Sequence, residues 1–177
     1  MEARVSKLLL IAAVALLLAG ALRFWRQDSP VPEEFPFTQT EQQWQASLPG
    51  PAYRILRREA TEKPGSSPLL EEKRPGRFLC RGCGHVIFLS QDKFDSGTGW
   101  PSFVRPAKPE ALGSRTDYKL MVPRTEVHCA NCGGHLGHVF SDGPPPTGKR
   151  FCINGGAMEF KPEPLEESGL PQFRGAE

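Results

Sequence analysis

Five cysteines hold most of the chemical potential of this chain, and their spacing divides them. Cys80-Arg81-Gly82-Cys83 and Cys129-Ala130-Asn131-Cys132 are two Cys-x-x-Cys pairs, while Cys152 stands alone in Lys149-Arg150-Phe151-Cys152-Ile153-Asn154. Each pair sets two sulfurs on one side of a tight turn. Gly82 and Gly84 free the backbone at the first turn, and Gly133 and Gly134 at the second. Two such turns offer four thiolates to a tetrahedral ion, for which structural zinc is the first reading. The 45 residues between the pairs exceed the spacer of a compact ribbon, so the site must clip together distant parts of the fold. Two disulfides, a thioredoxin-like redox pair and an iron–sulfur cluster are the competing readings. No βαβ pattern surrounds either pair, and nothing asks for electron transfer at a cluster.

Cys152 is left to do chemistry. If its segment is extended, Arg150, Cys152 and Asn154 share one face while Phe151 and Ile153 point to the core. A cation beside a thiol favours the thiolate and can lower a pKa of about 8.5 to between about 3.5 and 7.5. Asn154 would orient substrate or water. The plain alternative is a small buried hydrophobe, which Phe151 and Ile153 would suit. His135 and His138 follow the second Cys-x-x-Cys at once, so a metal held there would fix the backbone that carries both. Two imidazoles at this point suit proton transfer near neutral pH. Four thiolates already fill a metal, which argues against further histidine ligands.

Ser96-Gly97-Thr98-Gly99-Trp100-Pro101-Ser102-Phe103 is a glycine-rich turn without the Gly-Lys-Ser/Thr ending of a phosphate loop. Its glycines would let the backbone turn sharply so that Trp100 and Phe103 wall a pocket. An indole face suits a small apolar group such as a methyl. Ordinary core packing of Trp100 is the competing reading.

The elements that must position these groups are short. Pro and Gly number 18 each among 177 residues, which favours turns and short strands over long helices. Thr38 or Thr40 caps a helix over Glu41 to Ser47, Leu48-Pro49-Gly50-Pro51 ends it, and Tyr53 to Arg58 forms a second helix. From Gly76 onward, β-prone runs recur at 78–80, 85–89, 126–129, 138–140, 150–153 and 157–160, separated by Gly, Pro, Asp and Ser. The expected fold is a small, mostly antiparallel β domain with short helices only at its N-terminal edge.

A net charge of +2 without a basic stripe argues against nucleic acid as a partner. Leu8 to Leu22 is an uncharged run of 15 residues between Arg4 and Lys7 on one side and Arg23 and Arg26 on the other. It reads as a membrane anchor, with Arg23 snorkelling, or as a signal peptide cleaved near Ala19-Gly20-Ala21. Either places the domain outside the cytoplasm. Expected boundaries are 1–26 for this segment, 27–39 for a Pro-rich linker, 40–163 for the domain and 164–177 for a frayed tail.

From about Thr40 to Phe160 the chain resembles the B-type methionine sulfoxide reductases, the peptide-methionine (R)-S-oxide reductases. The resemblance rests on 53–57, Lys93 to Phe103, Arg124 to Val127, His135 to Phe140, Asp142-Gly143-Pro144 and Arg150 to Asn154. It implies two antiparallel sheets with peripheral helices and structural zinc on Cys80, Cys83, Cys129 and Cys132. It implies Cys152 as nucleophile, Trp100 against the substrate methyl, His135, His138 and Asn154 at the sulfoxide oxygen, and Arg150 supporting the thiolate. The substrate would be oxidised methionine in a protein or peptide. Many members regenerate through a cysteine at the position of Thr98, so its absence implies an external reductant, a thioredoxin-like protein or a small thiol.

Four segments depart from the family's pattern. Thr61 to Ser66 lacks a Pro-Phe, Leu120-Met121-Val122-Pro123 replaces a stretch with Gly-Met, Phe151 stands for Tyr, and Gly155-Gly156 replaces a Ser and its neighbour. The glycine pair is expected to loosen the strand that presents Cys152. The alternatives are a catalytically silent, zinc-stapled binding module of related fold, and a zinc hydrolase or deaminase. The last needs an open metal position that a fourth thiolate would close.

Overall fold

The computed structural model describes residues 34–163. The expected anchor or signal segment and the tail lie outside these residues. Among the described residues no helix is long and apolar enough to cross a membrane.

Helix α1 (Glu41–Ser47) starts at Thr40, where a capping box forms. The Thr40 hydroxyl accepts from the Gln43 amide at 3.3 Å, and the Gln43 side chain accepts from the Thr40 amide at 2.8 Å. Two of the orphan donors of the first turn are thereby satisfied. Helix α2 (Gly50–Arg58) begins three residues before the expected Tyr53. The Pro51 that was expected to break structure lies in its first turn, where a missing N–H costs nothing. Ala52, Ile55 and Leu56 bury one face of α2 beside Trp44 of α1. Phe35 and Phe37, inside the segment expected as linker, pack at 5.6 Å on His128 and 5.7 Å on Trp44.

Nine strands follow: β1 (Gly76–Cys80), β2 (Val86–Leu89), β3 (Lys93–Phe94), β4 (Ser102–Phe103), β5 (Leu112–Asp117), β6 (Arg124–Cys129), β7 (His135–Phe140), β8 (Arg150–Ile153) and β9 (Met158–Pro162). They make a three-stranded sheet, β2-β1-β9, and a six-stranded sheet, β3-β4-β8-β7-β6-β5, with every pairing antiparallel. The mostly β fold with two antiparallel sheets and two short N-terminal helices is as expected. Strand β5 was not expected, because Gly113-Ser114-Arg115-Thr116-Asp117 carries no apolar alternation. It is an edge strand, exposed from Ser114 to Thr116 and held by six register pairs with β6. Ala157 belongs to the 3-10 turn Gly155–Ala157 rather than to the last strand.

The core is built from the facing sides of these sheets. Phe103 stacks on Phe88 with ring centres 4.2 Å apart and meets Phe78 edge-on at 5.0 Å. Leu136, Ile153, Met158 and Val127 fill the space around them. Strands β7 and β8 approach closely at Gly137, where a Cβ would stand 2.1 Å from the Cys152 carbonyl oxygen. A backbone atom cannot swing aside, so Gly137→Ala is expected to cost about 2 kcal/mol and lower Tm by roughly 5–10 °C in a thermal scan.

Candidate active site and metal centre

Cys80 closes β1 and Cys129 closes β6, so the two Cys-x-x-Cys turns issue from different sheets. Each turn has the same wiring. The Gly84 amide donates to the Cys80 carbonyl at 2.8 Å, and the Gly133 amide donates to the Cys129 carbonyl at 2.8 Å. Gly84 and Gly133 take positive φ of 72° and 68°, a region open to glycine. Gly82 and Gly134 do not, and both lie against Leu56 and the Cys132 sulfur, so closeness of packing explains them better than backbone freedom.

The four sulfurs converge within 4.8 Å of one another, and none is in a disulfide. Cys80 and Cys132 sulfurs are 3.7 Å apart, and Cys83 and Cys129 sulfurs 3.6 Å. A zinc tetrahedron with Zn–S of about 2.3 Å has an edge of about 3.8 Å, so the donor set fits zinc. Disulfide pairing would need sulfurs about 2.05 Å apart. The sulfurs cannot all ionise unaided: hydrogen bonding to Cys129 pushes both Cys80 and Cys132 well up, while Cys83 and Cys129 move down.

Cys152 lies on β8 between two strands. Ser102 of β4 is its register partner on one side and His138 of β7 on the other. Phe151 and Ile153 are buried, while Cys152 and Arg150 keep partial exposure, the alternation expected of an extended segment. The same alternation overturns the assignment of Phe103 to a pocket wall. Phe103 pairs with Phe151, is fully buried, and belongs to the core face. Trp100 stays partly exposed, with its indole N–H donating to the Glu62 carbonyl at 3.2 Å.

The Cys152 thiol is pushed up, not down. Burial raises it; the Thr98 hydroxyl at 4.0 Å and the charge of Arg150 act in the opposite sense without prevailing. Arg150 has another claim on it, because its guanidinium makes a two-point contact with Asp142, both distances 2.9 Å, and lies 4.5 Å over the Phe140 ring. The Asp142 carboxylate itself raises Cys152 further. Sequence proximity of Arg to Cys therefore overstated its effect.

Both histidines are held by carboxylates that the sequence alone did not single out. His135 Nδ1 lies 2.8 Å from Glu126 Oε1, and His138 Nε2 lies 2.7 Å from Asp117 Oδ2. A carboxylate only accepts, so each imidazole donates through that nitrogen, and whenever the ring is neutral its other nitrogen is an acceptor. His135 Nε2 is buried with no protein partner. Burial lowers the pKa of His138 despite the Asp117 contact, which keeps the ring neutral. Burial acts to raise Glu126, but hydrogen bonds from His135 and Arg115 hold it at about 2. Arg115 and Arg124 supply the balancing charge to Glu126 and Asp117.

Asn154 is buried, and each end of its amide makes one hydrogen bond. Its Nδ2 donates to the Leu136 carbonyl at 2.9 Å and its Oδ1 accepts from the Glu62 amide at 3.0 Å. The Glu62 carboxylate in turn accepts from Gly155 at 2.6 Å and Gly156 at 2.8 Å. The glycine pair thus does not loosen β8. It forms a clamped turn in which a Cβ on Gly155 would stand 1.9 Å from the Ser67 hydroxyl. Glu62 ties together the segments that carry Trp100, Asn154 and Cys152. Its role was invisible in sequence because its partners are 38 to 94 positions away.

A SelR domain matches residues 48–162. A peptide methionine sulfoxide reductase MsrB from Agrobacterium fabrum is 50% identical over 119 residues, covering 67% of this chain and 88% of that protein. Its namesake from Leifsonia xyli is 46% identical over 131 residues, 73% of this chain and 94% of the relative. Another from Leptospira interrogans is 41% identical over 129 residues, 73% of this chain and 98% of the relative.

The thiolate is the form that alkylates, so a raised pKa predicts slow reaction of Cys152 with iodoacetamide at pH 7 and a rate still climbing above pH 9. Asp142→Asn removes a carboxylate that raises the thiol and releases Arg150, so the midpoint should move down. Peptide-resolved mass spectrometry against pH measures both. A wild-type midpoint below pH 8 would contradict the dominance of burial.

Proposed function

The chain belongs to the SelR-domain family, and from that membership we propose that it reduces methionine R-sulfoxide in proteins and peptides, with Cys152 as nucleophile. The observation that carries this reading is the placement of one partly exposed thiol between His138 and Ser102, apart from four clustered siblings. The Cys152 sulfur attacks the sulfoxide sulfur and the sulfur–oxygen bond of the substrate breaks. The sulfur–sulfur bond formed in the attack then breaks with its electron pair on the methionine sulfur as the oxygen bonds to Cys152, so that the substrate is reduced by two electrons to methionine, and oxygen and the thiol proton end on Cys152 as a sulfenic acid. His138, neutral and oriented by Asp117, has one nitrogen left to carry that proton from sulfur to oxygen. His135 offers a second acceptor nitrogen. Trp100 receives the methyl group on its indole face. Asn154 acts as a positioning residue, fixed by one hydrogen bond at each end of its amide to Leu136 and to Glu62.

Thr98 stands beside Cys152 where a cysteine would be needed to form an internal disulfide. Two external thiols, from a thioredoxin-like protein or a small molecule, therefore reduce the sulfenic acid to thiol, water and a disulfide of their own. Cys80, Cys83, Cys129 and Cys132 would hold zinc as a closed four-thiolate site, whose chemistry is structural because no coordination position remains for substrate. The apolar run Leu8 to Leu22 supports an anchored or exported enzyme acting outside the cytoplasm.

Incubation with a methionine-R-sulfoxide peptide and dithiothreitol should yield methionine, and Cys152→Ser should fall to background. After one turnover without reductant, mass spectrometry should find Cys152 trapped by dimedone as a sulfenic acid; a disulfide from Cys152 to another cysteine of the chain would refute external regeneration. Metal analysis should find about one zinc per chain, and Cys83→Ser should lose the metal together with several degrees of Tm. Full thermal stability after complete zinc removal would defeat the assignment of the cluster.

A further inference from the structure

The hairpin between β5 and β6 inverts the usual order of burial. Tyr118, Leu120, Met121 and Val122 are 75%, 57%, 101% and 70% exposed, and they are the large apolar side chains left in solvent among the described residues. The polar groups around them are occupied. Asp117 Oδ1 accepts from the Lys119 amide at 2.9 Å, and Asp117 Oδ2 takes both Arg124 and His138 at 2.7 Å. The Lys119 ammonium and Arg115 reach Glu59 at the end of α2. A short loop with a pinned root and an apolar crest is the kind of patch that marks an interaction surface.

Its position decides what it meets. Glu126, His138 and Cys152 form one register row across β6, β7 and β8, and the loop root at Arg124 lies two residues along β6 from that row. Two strand spacings of about 4.8 Å and two residue rises of about 3.4 Å put the root about 12 Å from Cys152. The crest stands beyond this root, Val122 two residues further along, which puts it about 17 Å from Cys152, a distance an extended peptide covers in roughly five to six residues. The Asp117–His138 contact makes loop and site continuous.

We infer that Tyr118, Leu120, Met121 and Val122 form a docking lip for an apolar stretch of the oxidised polypeptide, roughly five to six residues from the methionine sulfoxide. The inference rests on the reductase reading and deepens it, since it adds a selection among polypeptide substrates by the side chains some way along the chain from the sulfoxide. The lip is apolar, so it selects apolar side chains at that distance and has no purchase on a substrate too short to reach it.

The test compares the full chain with Leu120→Ser/Val122→Ser on three substrates: free methionine R-sulfoxide, a peptide with Leu or Phe five and six residues from the sulfoxide, and the same peptide with Ser there. The wild type should favour the apolar peptide. The variant should raise KM for that peptide roughly tenfold with kcat held, and leave the other two unchanged. Equal effects on all three substrates, or none on any, would overturn the lip. Loss of activity on every substrate by the wild type would instead overturn the reductase reading. Vesicle flotation and sedimentation of both proteins complete the experiment. A variant that loses only vesicle binding or only self-association assigns the patch to lipid or to a second copy, against the inference.

Discussion

The alternation along β8 is the constraint on which the site depends. Phe151 and Ile153 are buried on one face, Cys152 is left on the other, and no separate device is needed to aim the sulfur. A one-residue slip would exchange the faces, burying the thiol and exposing two large apolar side chains. Removing apolar area from water at about 25 cal/mol per Å² holds the register against such a slip. The flanking strands inherit the same lock. Ser102 and His138 are opposite Cys152 because Phe103 and Val139 are opposite Phe151. Gly137 permits this closeness, since any side chain there would meet the Cys152 carbonyl.

Around that sulfur the charges are paired among themselves. Arg150 is engaged by Asp142, His138 by Asp117 with Arg124, and His135 by Glu126 with Arg115. The pairing orients each imidazole and leaves little net field on the thiol, so desolvation governs its acidity. A site of this kind suits a neutral, dipolar sulfoxide better than an ion. It also changes where the proton comes from. In the proposed mechanism, a thiol that stays protonated would bring the proton the departing oxygen requires, and a neutral imidazole would only have to move it across. The cysteine then needs no permanent cation to hold a thiolate in waiting.

Much of this was legible in the chain, and what was missed shares one physical reason. The two Cys-x-x-Cys turns, the α1 cap at Thr40 and the in–out pattern of 150–153 are local, written in residues a few positions apart. Edge strand β5 escaped because its exposed faces carry no apolar signal; only its pairing with β6 makes it a strand. Phe103 was misplaced because proximity to Trp100 in sequence says nothing about which face a two-residue strand presents. Glu62, Asp117 and Glu126 were missed because a carboxylate looks like any other until the fold delivers its partner. Even the expected effect of Arg150 failed on this count: the Asp142 that competes for it sits across a turn, eight residues upstream.

The position of the clustered cysteines bears on how the enzyme is restored. Cys129 lies on β6, two strands from Cys152 and three residues along β6 from its row, which by strand geometry separates their Cα atoms by about 14 Å. A disulfide tolerates at most about 7 Å between Cα atoms. Cys80 and Cys83 belong to the end of the other sheet, and drawing any of the four to Cys152 would dismantle the cluster that joins the sheets. Thr98, the residue whose hydroxyl does approach Cys152, cannot form a sulfur–sulfur bond. In the cycle proposed above, an oxidised Cys152 has no cysteine partner within reach, and the partial exposure that would admit a sulfoxide would afterwards have to admit a thiol as well.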